Sequence, residues 1–381
     1  MHPFDTDQLL LPSVAIFLFT LLIGLGFSRR TGIAIFAALT KSACFFFYFN
    51  VFFDGTYWIR DDWRYLRVGQ YLHEHVGLNF LGNLPLIISA AGGDNFLYYV
   101  YNTYAVFLFG DGYFAPVALN VLLTPVIAWM GARLAEREFG WQGDLRDAFF
   151  FFLLLSPDIL AWSTTINGKD ITTLFLHVAM LCAISDLYRR HVLRGVLLLT
   201  ASSVSLLFLR FYVPLLFAAA FMTTSFLAGR KFNRAWWFVA GFAVMAVLGI
   251  FQYSLIVLAA TRIQTEAANP LIGFPRFLLT PIPFNIEPAY GFLELPAIFH
   301  WLMLPFLVLG IFAISRLKTP FVRFFLAYIA LFAGLYSVYS ELQGPRHRVQ
   351  LDFGIAILQF AGILYAAQIA ARHKPAQELQ P

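Results

Sequence analysis

Two adjacent carboxylates, Asp61 and Asp62, occur in the string DGTYWIRDDWRYLRVGQYL. Aromatic residues on both sides of the pair predict that this string lies at a membrane interface. A carboxylate in such a place can accept a proton from a hydroxyl group or help to hold a divalent metal. The alternative interpretation is a solvated pair that only balances the charges of Arg60 and Arg64.

A second group of candidates lies in the string SPDILAWSTTINGKDITTLFLH. Lys169 and Asp170 are adjacent where two apolar runs meet, and such a pair is often only an ion pair that fixes topology. Asp158 lies inside an apolar run, where ionisable groups usually face a polar cavity or a charged partner. We therefore expect Asp158 to line a cavity near the Lys169–Asp170 turn.

Basic residues form the third group of candidates. Guanidinium groups bind phosphate oxygens through two hydrogen bonds at once, so they suit a lipid-linked phosphate. Ion pairs with Glu341 and Asp352, or with phospholipid headgroups, are the alternative. Glu341 is itself a candidate for the cavity wall. The basic candidates are Arg210 in FLRFYVP, Arg276, and Arg346, His347 and Arg348 in SELQGPRHRVQLDF.

Several common catalytic motifs do not occur in the sequence. It contains no P-loop, GxSxG, HExxH or CxxC motif, so nothing supports an ATPase, a nucleophile-elbow hydrolase or a zinc enzyme. His73 and His75 would diverge on a helix, and no metal-ligand set is predicted. The residues do not identify a cofactor, and they leave open whether the protein uses a divalent metal such as Mg or Mn.

Composition indicates the medium in which these side chains are positioned. Of 381 residues, 60% are hydrophobic and 12% are charged, and the mean hydropathy is +0.72. Apolar surface in that amount would make a soluble protein associate, so we predict an integral membrane protein with residues 1–381 as one domain. The net charge of +5 comes from short basic clusters rather than a long basic arm, which argues against nucleic acid.

Apolar runs of roughly 20 residues are long enough to cross a bilayer as helices. By that measure the sequence predicts an all-α transmembrane bundle of about eleven spans. Two long connections, 54–112 and 260–298, are rich in aromatic residues and predict structured outer loops with short amphipathic helices. The candidate spans are 9–27, 33–53, 113–133, 148–166, 171–188, 194–209, 211–229, 236–259, 299–317, 322–340 and 350–371.

Arginine and lysine residues concentrate in alternate short connections. The positive-inside rule assigns that side to the cytoplasm, which places the amino terminus outside and the carboxyl terminus inside. By the same rule the candidate arginines lie on the outer side, where basic residues are not expected. We expect the membrane to be a bacterial inner membrane. Lys41, within the second apolar run, is expected to extend its amine to the cytoplasmic face.

The order of segments resembles the GT-C glycosyltransferases, polytopic enzymes that use polyprenyl-phosphate-linked sugars. Protein O-mannosyltransferases and lipid A aminoarabinose transferases belong to this superfamily. The resemblance covers most of the chain and depends on order and spacing. The segments that carry it are DDWRY, the ending Phe109–Gly110, ARLAEREFG, SPDILAWSTTINGKD and GPRHRVQLDFGIAILQFAGILYA. An extra leading span departs from the family pattern and leaves the acceptor open.

The resemblance implies a role for each group of candidates. An acid of the first outer loop would activate the acceptor hydroxyl, which corresponds to Asp61 or Asp62, with Asp62 slightly favoured. Asp170 corresponds to a second acid. The implied partners are a polyprenyl-phosphate-linked sugar, a lipid, glycan or protein acceptor, and the bilayer, with a divalent metal in some members. The donor phosphate would be held by Lys169, Arg210, Arg346, His347 and Arg348.

Two other functions share part of this pattern. A polysaccharide repeat-unit polymerase or ligase of the Wzy type also uses polyprenyl carriers and outward arginines. The string DDWRY favours the transferase, whereas a second outer loop rich in arginine would favour the polymerase. A secondary transporter is less well supported, because transporters place ionisable groups near the middle of the membrane and here they gather at one face.

Overall fold

The computed structural model describes residues 4–56, 59–91, 95–227, 269–339 and 343–372. Within these ranges the regular elements are helices, as the composition predicts. In chain order they are α1 (Thr6–Phe27), α2 (Thr31–Phe47, continued by a π-helical turn Tyr48–Phe52), α3 (Arg60–Val76), α4 (Leu84–Ala91), α5 (Phe96–Phe109), α6 (Phe114–Phe139), α7 (Asp144–Leu154), α8 (Pro157–Thr165), α9 (Asp170–Tyr188), α10 (Val192–Leu207), α11 (Tyr212–Leu227), α12 (Pro270–Leu279), a 3-10 helix (Pro288–Leu293), α13 (Glu294–Ser315), α14 (Pro320–Val338), α15 (Pro345–Arg348), a second 3-10 helix (Val349–Leu351) and α16 (Asp352–Arg372).

Seven helices in the described ranges are long and apolar enough to cross a membrane, and the bent pair α7–α8 is an eighth if it forms one span. The structure does not confirm the prediction of about eleven spans. Residues 194–209 and 211–229 correspond to α10 and α11, which have only 16 residues each. The predicted span 236–259 lies outside the described residues.

The helices pack around two apolar cores. The larger core lies where α6, α7, α9, α14 and α16 meet and includes Phe149, Tyr328 and Phe353. A smaller core, with Phe45 and Phe49, joins α1, the end of α2 and the start of α6. The aromatic residues, which make up 18% of the chain, therefore fill the interior as well as part of the exposed surface.

Glycine allows a close approach between α13 and α16. Gly310 lies against the backbone of Leu358, and Gly362 lies against the backbone of Phe306. A Cβ atom at either glycine would overlap with the opposite helix. Small residues at such crossing points are how membrane helices come close together in the absence of a hydrophobic driving force.

The connection 54–112 contains three helices, α3, α4 and α5. Helix α3 is amphipathic, with Tyr65, Leu66 and Leu72 buried. It packs on α5 where Gly69 faces Asn102, and a Cβ atom on Gly69 would lie 2.6 Å from the Cβ atom of Asn102. This contact fixes α3 against α5 and so places the first turn of α3, which carries both aspartates.

The two ends of the bundle carry different charged groups. At one end, Asp186 near the end of α9 pairs with Arg137 at 2.5 Å and with Arg194 at 3.1 Å. At the other end, α9 begins with Asp170, and its 19 residues separate the ends by about 28 Å. The predicted cytoplasmic arginines and the predicted catalytic acids thus lie at opposite ends of α9.

Lys41 differs from its prediction. Its side chain is fully buried, and its amine has no hydrogen-bond partner in the described residues. The expectation that it reaches the cytoplasmic face is wrong, because the side chain lies on the packed face of α2 rather than on its exposed face.

Candidate functional site

Arg346 joins two acids from distant parts of the chain. Its Nη1 donates to Oδ2 of Asp61 at 3.1 Å, and its Nε donates to Oδ2 of Asp170 at 3.2 Å. The other oxygen of Asp170 accepts a hydrogen bond from Nη2 of Arg210 at 2.9 Å. We call Asp61, Asp170, Arg210 and Arg346 the ionic cluster. The structure thus brings together four of the residues that the sequence singled out.

The secondary structure explains why the two acids of the cluster lie where they do. Asp61 is in the first turn of α3, and Asp170 is the first residue of α9. Acidic side chains are stabilised near helix N-termini, where free N–H groups and the helix dipole favour negative charge. Arg346 belongs to the short helix α15, whose first residue is Pro345. Proline suits that position because its missing N–H would have no helical partner there.

The adjacent acids Asp61 and Asp62 have opposite environments. The Asp61 side chain is 50% exposed, whereas Asp62 is fully buried. Oδ2 of Asp62 accepts a hydrogen bond from the Tyr113 hydroxyl at 3.1 Å. Burial raises the pKa of Asp62 to about 8, although the charge of Arg346 and the bond from Tyr113 act in the opposite direction. With that pKa Asp62 is mostly protonated at neutral pH, whereas the Asp61 carboxylate is open to solvent.

A buried asparagine, Asn167, holds the turn before α9. Its side-chain nitrogen donates to the backbone oxygen of Asp62 at 3.1 Å and to Oδ1 of Asn102 at 2.8 Å. Its side-chain oxygen accepts a hydrogen bond from the Tyr98 hydroxyl at 2.9 Å, and its backbone N–H donates to the Tyr113 hydroxyl at 3.0 Å. The turn that precedes Asp170 is thereby tied to α3 and α5.

A second asparagine, Asn120 on α6, supports the same turn from the other side. Its amide donates to the backbone oxygens of Ile166 at 3.2 Å and Gly168 at 3.4 Å. The sequence interpretation did not single out Asn120 or Asn167. Both could have been found in the sequence as amide side chains within or next to strongly apolar runs, because a buried amide needs hydrogen-bond partners.

Lys169 lies beside the ionic cluster and is bonded to Oδ1 of Asn95, another residue that the sequence interpretation did not single out. Burial lowers the pKa of Lys169 well below its usual value, and the nearby positive charges of Arg210 and Arg346 act in the same direction. An anion bound beside Lys169 would reverse this effect, since it would stabilise the charged amine.

His347 also belongs to this neighbourhood. Its Nε2 lies 3.2 Å from Nη1 of Arg210, and its ring lies 5.7 Å from the ring of Tyr336. The Tyr336 hydroxyl in turn donates to Oε1 of Gln350 at 2.9 Å. Side-chain contacts thus continue from the ionic cluster into the bundle, and the link between His347 and Tyr336 is a ring contact.

Arg348 lies in a separate buried group, although it is only two residues from Arg346. Its Nη2 donates to Oδ1 of Asp158 at 2.8 Å, and only 1% of the residue is exposed. Asp352 is near enough for its charge to interact with both. Arg348 and Asp158 therefore form an ion pair with each other, and in the described residues neither has a hydrogen bond to the ionic cluster.

The last two predicted residues have different outcomes. Nη1 of Arg276 lies 3.5 Å from Oε1 of Gln343, so Arg276 contacts an amide rather than a carboxylate of the cluster. Glu341 lies outside the described residues.

Metal-ligating side chains do not assemble in the part of the chain that the structure describes. No group of three or more His, Cys, Asp or Glu side chains occurs there with a geometry that could hold a metal ion. The exposed acid Asp61 and the buried acid Asp170 both face guanidinium groups instead. The arrangement is suited to handling anions and protons.

Comparison with known proteins adds no further constraint. No protein-family model, no curated protein and no solved structure matches this chain.

Proposed function

We propose that this protein is a GT-C-like glycosyltransferase that moves a sugar from a polyprenyl-phosphate donor to an acceptor hydroxyl. The observation that carries the proposal is the bridge from Arg346 to Asp61 and Asp170. An exposed carboxylate next to guanidinium groups combines what this transfer needs, namely a base and a site for phosphate.

Asp61 is the proposed base because its side chain is 50% exposed, while Asp62 is buried. The Asp61 carboxylate takes the proton of the acceptor hydroxyl, whose oxygen forms a bond to the anomeric carbon of the sugar. The bond from that carbon to the phosphate oxygen breaks, and polyprenyl phosphate leaves with the electron pair. A phosphate is a good leaving group, so this chemistry needs no nucleotide site.

Arg346 and Arg210 are the proposed contacts for the leaving phosphate. Both donate to Asp170, which is 1% exposed, so their guanidinium groups are held in place before a substrate binds. Such preorganised cations stabilise charge as it develops on the leaving oxygen. Lys169 and His347 lie next to the same cluster and would add donors to the phosphate.

The proposed site faces the periplasm or cell exterior of a bacterial inner membrane. Support comes from the position of the cluster at the start of α9, opposite the basic connections at its other end. In this topology the bundle has about eleven spans, with 54–112 and 260–298 as outer loops, an outer amino terminus and a cytoplasmic carboxyl terminus. A repeat-unit polymerase remains the alternative function and shares the same donor chemistry.

The test is sugar transfer in membranes that contain the full chain. Radiolabelled polyprenyl-phosphate hexoses and pentoses are supplied, and label is followed into lipid, glycan and protein fractions. The wild type is compared with Asp170→Asn and Arg346→Gln. The matched control is Arg64→Gln, which removes an exposed arginine from α3.

We expect labelled product from the wild type and from Arg64→Gln, and a loss of at least roughly 100-fold in both cluster variants. Full activity of Asp170→Asn and Arg346→Gln would remove the assignment of the site. Label in glycan chains that lengthen with time would instead favour the polymerase.

A further inference from the structure

A cavity of about 340 Å³ opens between α3 and α4, apart from the ionic cluster. Its volume is within the range of small-molecule sites, roughly 300–1,000 Å³. The lining side chains come from one face of α3 and from α4, and they are Arg67, Val68, Tyr71, Leu86, Ser89 and Ala90.

The cavity carries one positive charge. The guanidinium of Arg67 lies 4.4 Å from the ring centre of Trp63, a cation–π contact that holds the exposed side chain in place. No carboxylate in the described ranges forms an ion pair with Arg67. An arginine that is held by an aromatic ring and has no counter-ion in those ranges suits an anionic ligand.

The rest of the cavity is mostly apolar, apart from the hydroxyl groups of Tyr71 and Ser89. Val68, Leu86 and Ala90 line its wall. An anion that fits this cavity is therefore attached to hydrocarbon, because a free ion would leave these apolar surfaces uncovered.

The cavity lies on the same side of α3 as the exposed acid of the cluster. Val68 follows Asp61 by seven residues, which is two helical turns, so the two side chains share a face. The axial separation is about 10 Å. One amphiphile could thus place a hydroxyl near Asp61 while its charged group lies at Arg67.

We propose that the α3–α4 cavity binds the phosphate-bearing headgroup of a membrane lipid through Arg67. This lipid would be the acceptor of the sugar, and that role rests on the proposed function. The phosphate accepts charge-assisted hydrogen bonds from the Arg67 guanidinium, and the Ser89 hydroxyl adds a donor. The first methylene groups of the lipid cover Val68, Leu86 and Ala90.

Binding is tested without a sugar donor, on the full chain purified in a neutral detergent. The probe is dihexanoylphosphatidylglycerol, a short-chain anionic phospholipid, and its affinity is measured by thermophoresis. Dihexanoylglycerol has the same chains without phosphate, and inorganic phosphate supplies the anion without chains. The variants are Arg67→Gln, the cavity-filling Ala90→Phe, and the control Arg64→Gln, which removes an exposed arginine outside the cavity lining.

We expect the phospholipid to bind the wild type at least roughly tenfold more tightly than either partial probe. Arg67→Gln and Ala90→Phe should each weaken it roughly tenfold, and Arg64→Gln less than about twofold. Equal losses in Arg67→Gln and Arg64→Gln would indicate only general charge attraction and overturn the proposal. Inorganic phosphate that binds as tightly as the phospholipid would overturn the choice of a lipid.

The acceptor role has its own readout. In the transfer assay, Arg67→Gln should raise the KM for the lipid acceptor and leave the KM for the donor unchanged. Specific lipid binding in a protein that transfers no sugar would contradict the proposed function but keep the lipid site. Sugar transfer with no specific lipid binding would contradict the lipid site but keep the proposed function.

Discussion

The guanidinium group of Arg346 donates to the carboxylate of Asp61 at 3.1 Å, across 285 residues of chain. The same guanidinium also donates to Asp170, so residues of α3, α9 and α15 form one group of charges. The side chain of Asp170 is buried, while that of Asp61 is half exposed. This arrangement leaves one acid open to solvent and uses the other to hold the cations.

Asp61→Asn should abolish most sugar transfer without unfolding the protein. Loss of a positioned base typically lowers a rate by roughly 10²–10⁴-fold. The fold should be retained because Asp61 is half exposed and Arg346 keeps Asp170 as its partner. The measurement is the initial rate of label transfer, together with the melting temperature of each purified variant.

The matched control for this variant is Glu74→Gln, which neutralises an exposed acid on the same helix. It should keep the wild-type rate. A similar rate in Asp61→Asn and Glu74→Gln would show that Asp61 is not the base.

Asp62 should make stability depend on pH. Its pKa is raised from an ordinary aspartate value to about 8 in the folded state. A raised acid pKa stabilises the fold fully below the unfolded pKa and loses that contribution as pH rises through the folded pKa. The folded protein should therefore lose stability from about pH 4 to about pH 8, by a few kcal/mol for this group.

Asp62→Asn isolates this effect because asparagine cannot ionise. Melting curves of the two proteins should agree near pH 3 to 4, where Asp62 is mostly protonated in both the folded and the unfolded state, and should diverge as the pH rises. At pH 9 the variant should be the more stable of the two. Parallel pH dependence in both proteins would contradict a buried, protonated Asp62.

The buried group around Arg348 predicts an asymmetry between two substitutions. Arg348→Met leaves Asp158 and Asp352 close together without their cation, and removing one partner of a buried ion pair costs roughly 3–5 kcal/mol. Asp158→Asn should cost less, roughly 1–2 kcal/mol, because Arg348 still has Asp352 nearby. Chemical unfolding in detergent measures both, and an equal or reversed order would refute this account of the group.

Asn167→Ala should be destabilising by roughly 2–4 kcal/mol, since it leaves the buried Tyr98 hydroxyl and two acceptors without their partner. Asn79→Ala is the control, because Asn79 is hydrogen-bonded only at an exposed turn. The comparison uses melting temperatures under the same conditions. A loss no larger than that of Asn79→Ala would show that Asn167 does not hold the turn.

The all-helical membrane fold could be predicted because apolar runs of sufficient length carry that information directly. Residues 9–27 and 171–188, for example, agree closely with α1 and α9. The number of spans is harder to predict, since an apolar run in the sequence does not show whether the helix it forms is long enough to cross the membrane, and α10 has only 16 residues. The bend between α7 and α8 has a local cause in Pro157, which cannot continue a helix.

The candidate site could be predicted in its residue types but not in its pairing. Asp61, Asp170, Arg210 and Arg346 were all singled out, because charge is costly in an apolar chain. The sequence could not show that Arg348 turns away from Arg346 to Asp158, since that depends on where α8 packs. The family resemblance slightly favours Asp62 over Asp61, whereas the sequence could not show which of the two is buried, since the burial of Asp62 depends on its tertiary contact with Tyr113.

Binding of undecaprenyl phosphate to the ionic cluster is the most direct test of the central claim. The melting temperatures of the wild type, Arg346→Gln and the control Arg64→Gln are measured with this lipid and with undecaprenol, which lacks the phosphate. We predict that only the phosphorylated lipid raises the melting temperature, and that it does so for the wild type and Arg64→Gln but not for Arg346→Gln. An equal rise in all three proteins, or none in the wild type, would contradict a lipid-phosphate site at Arg346.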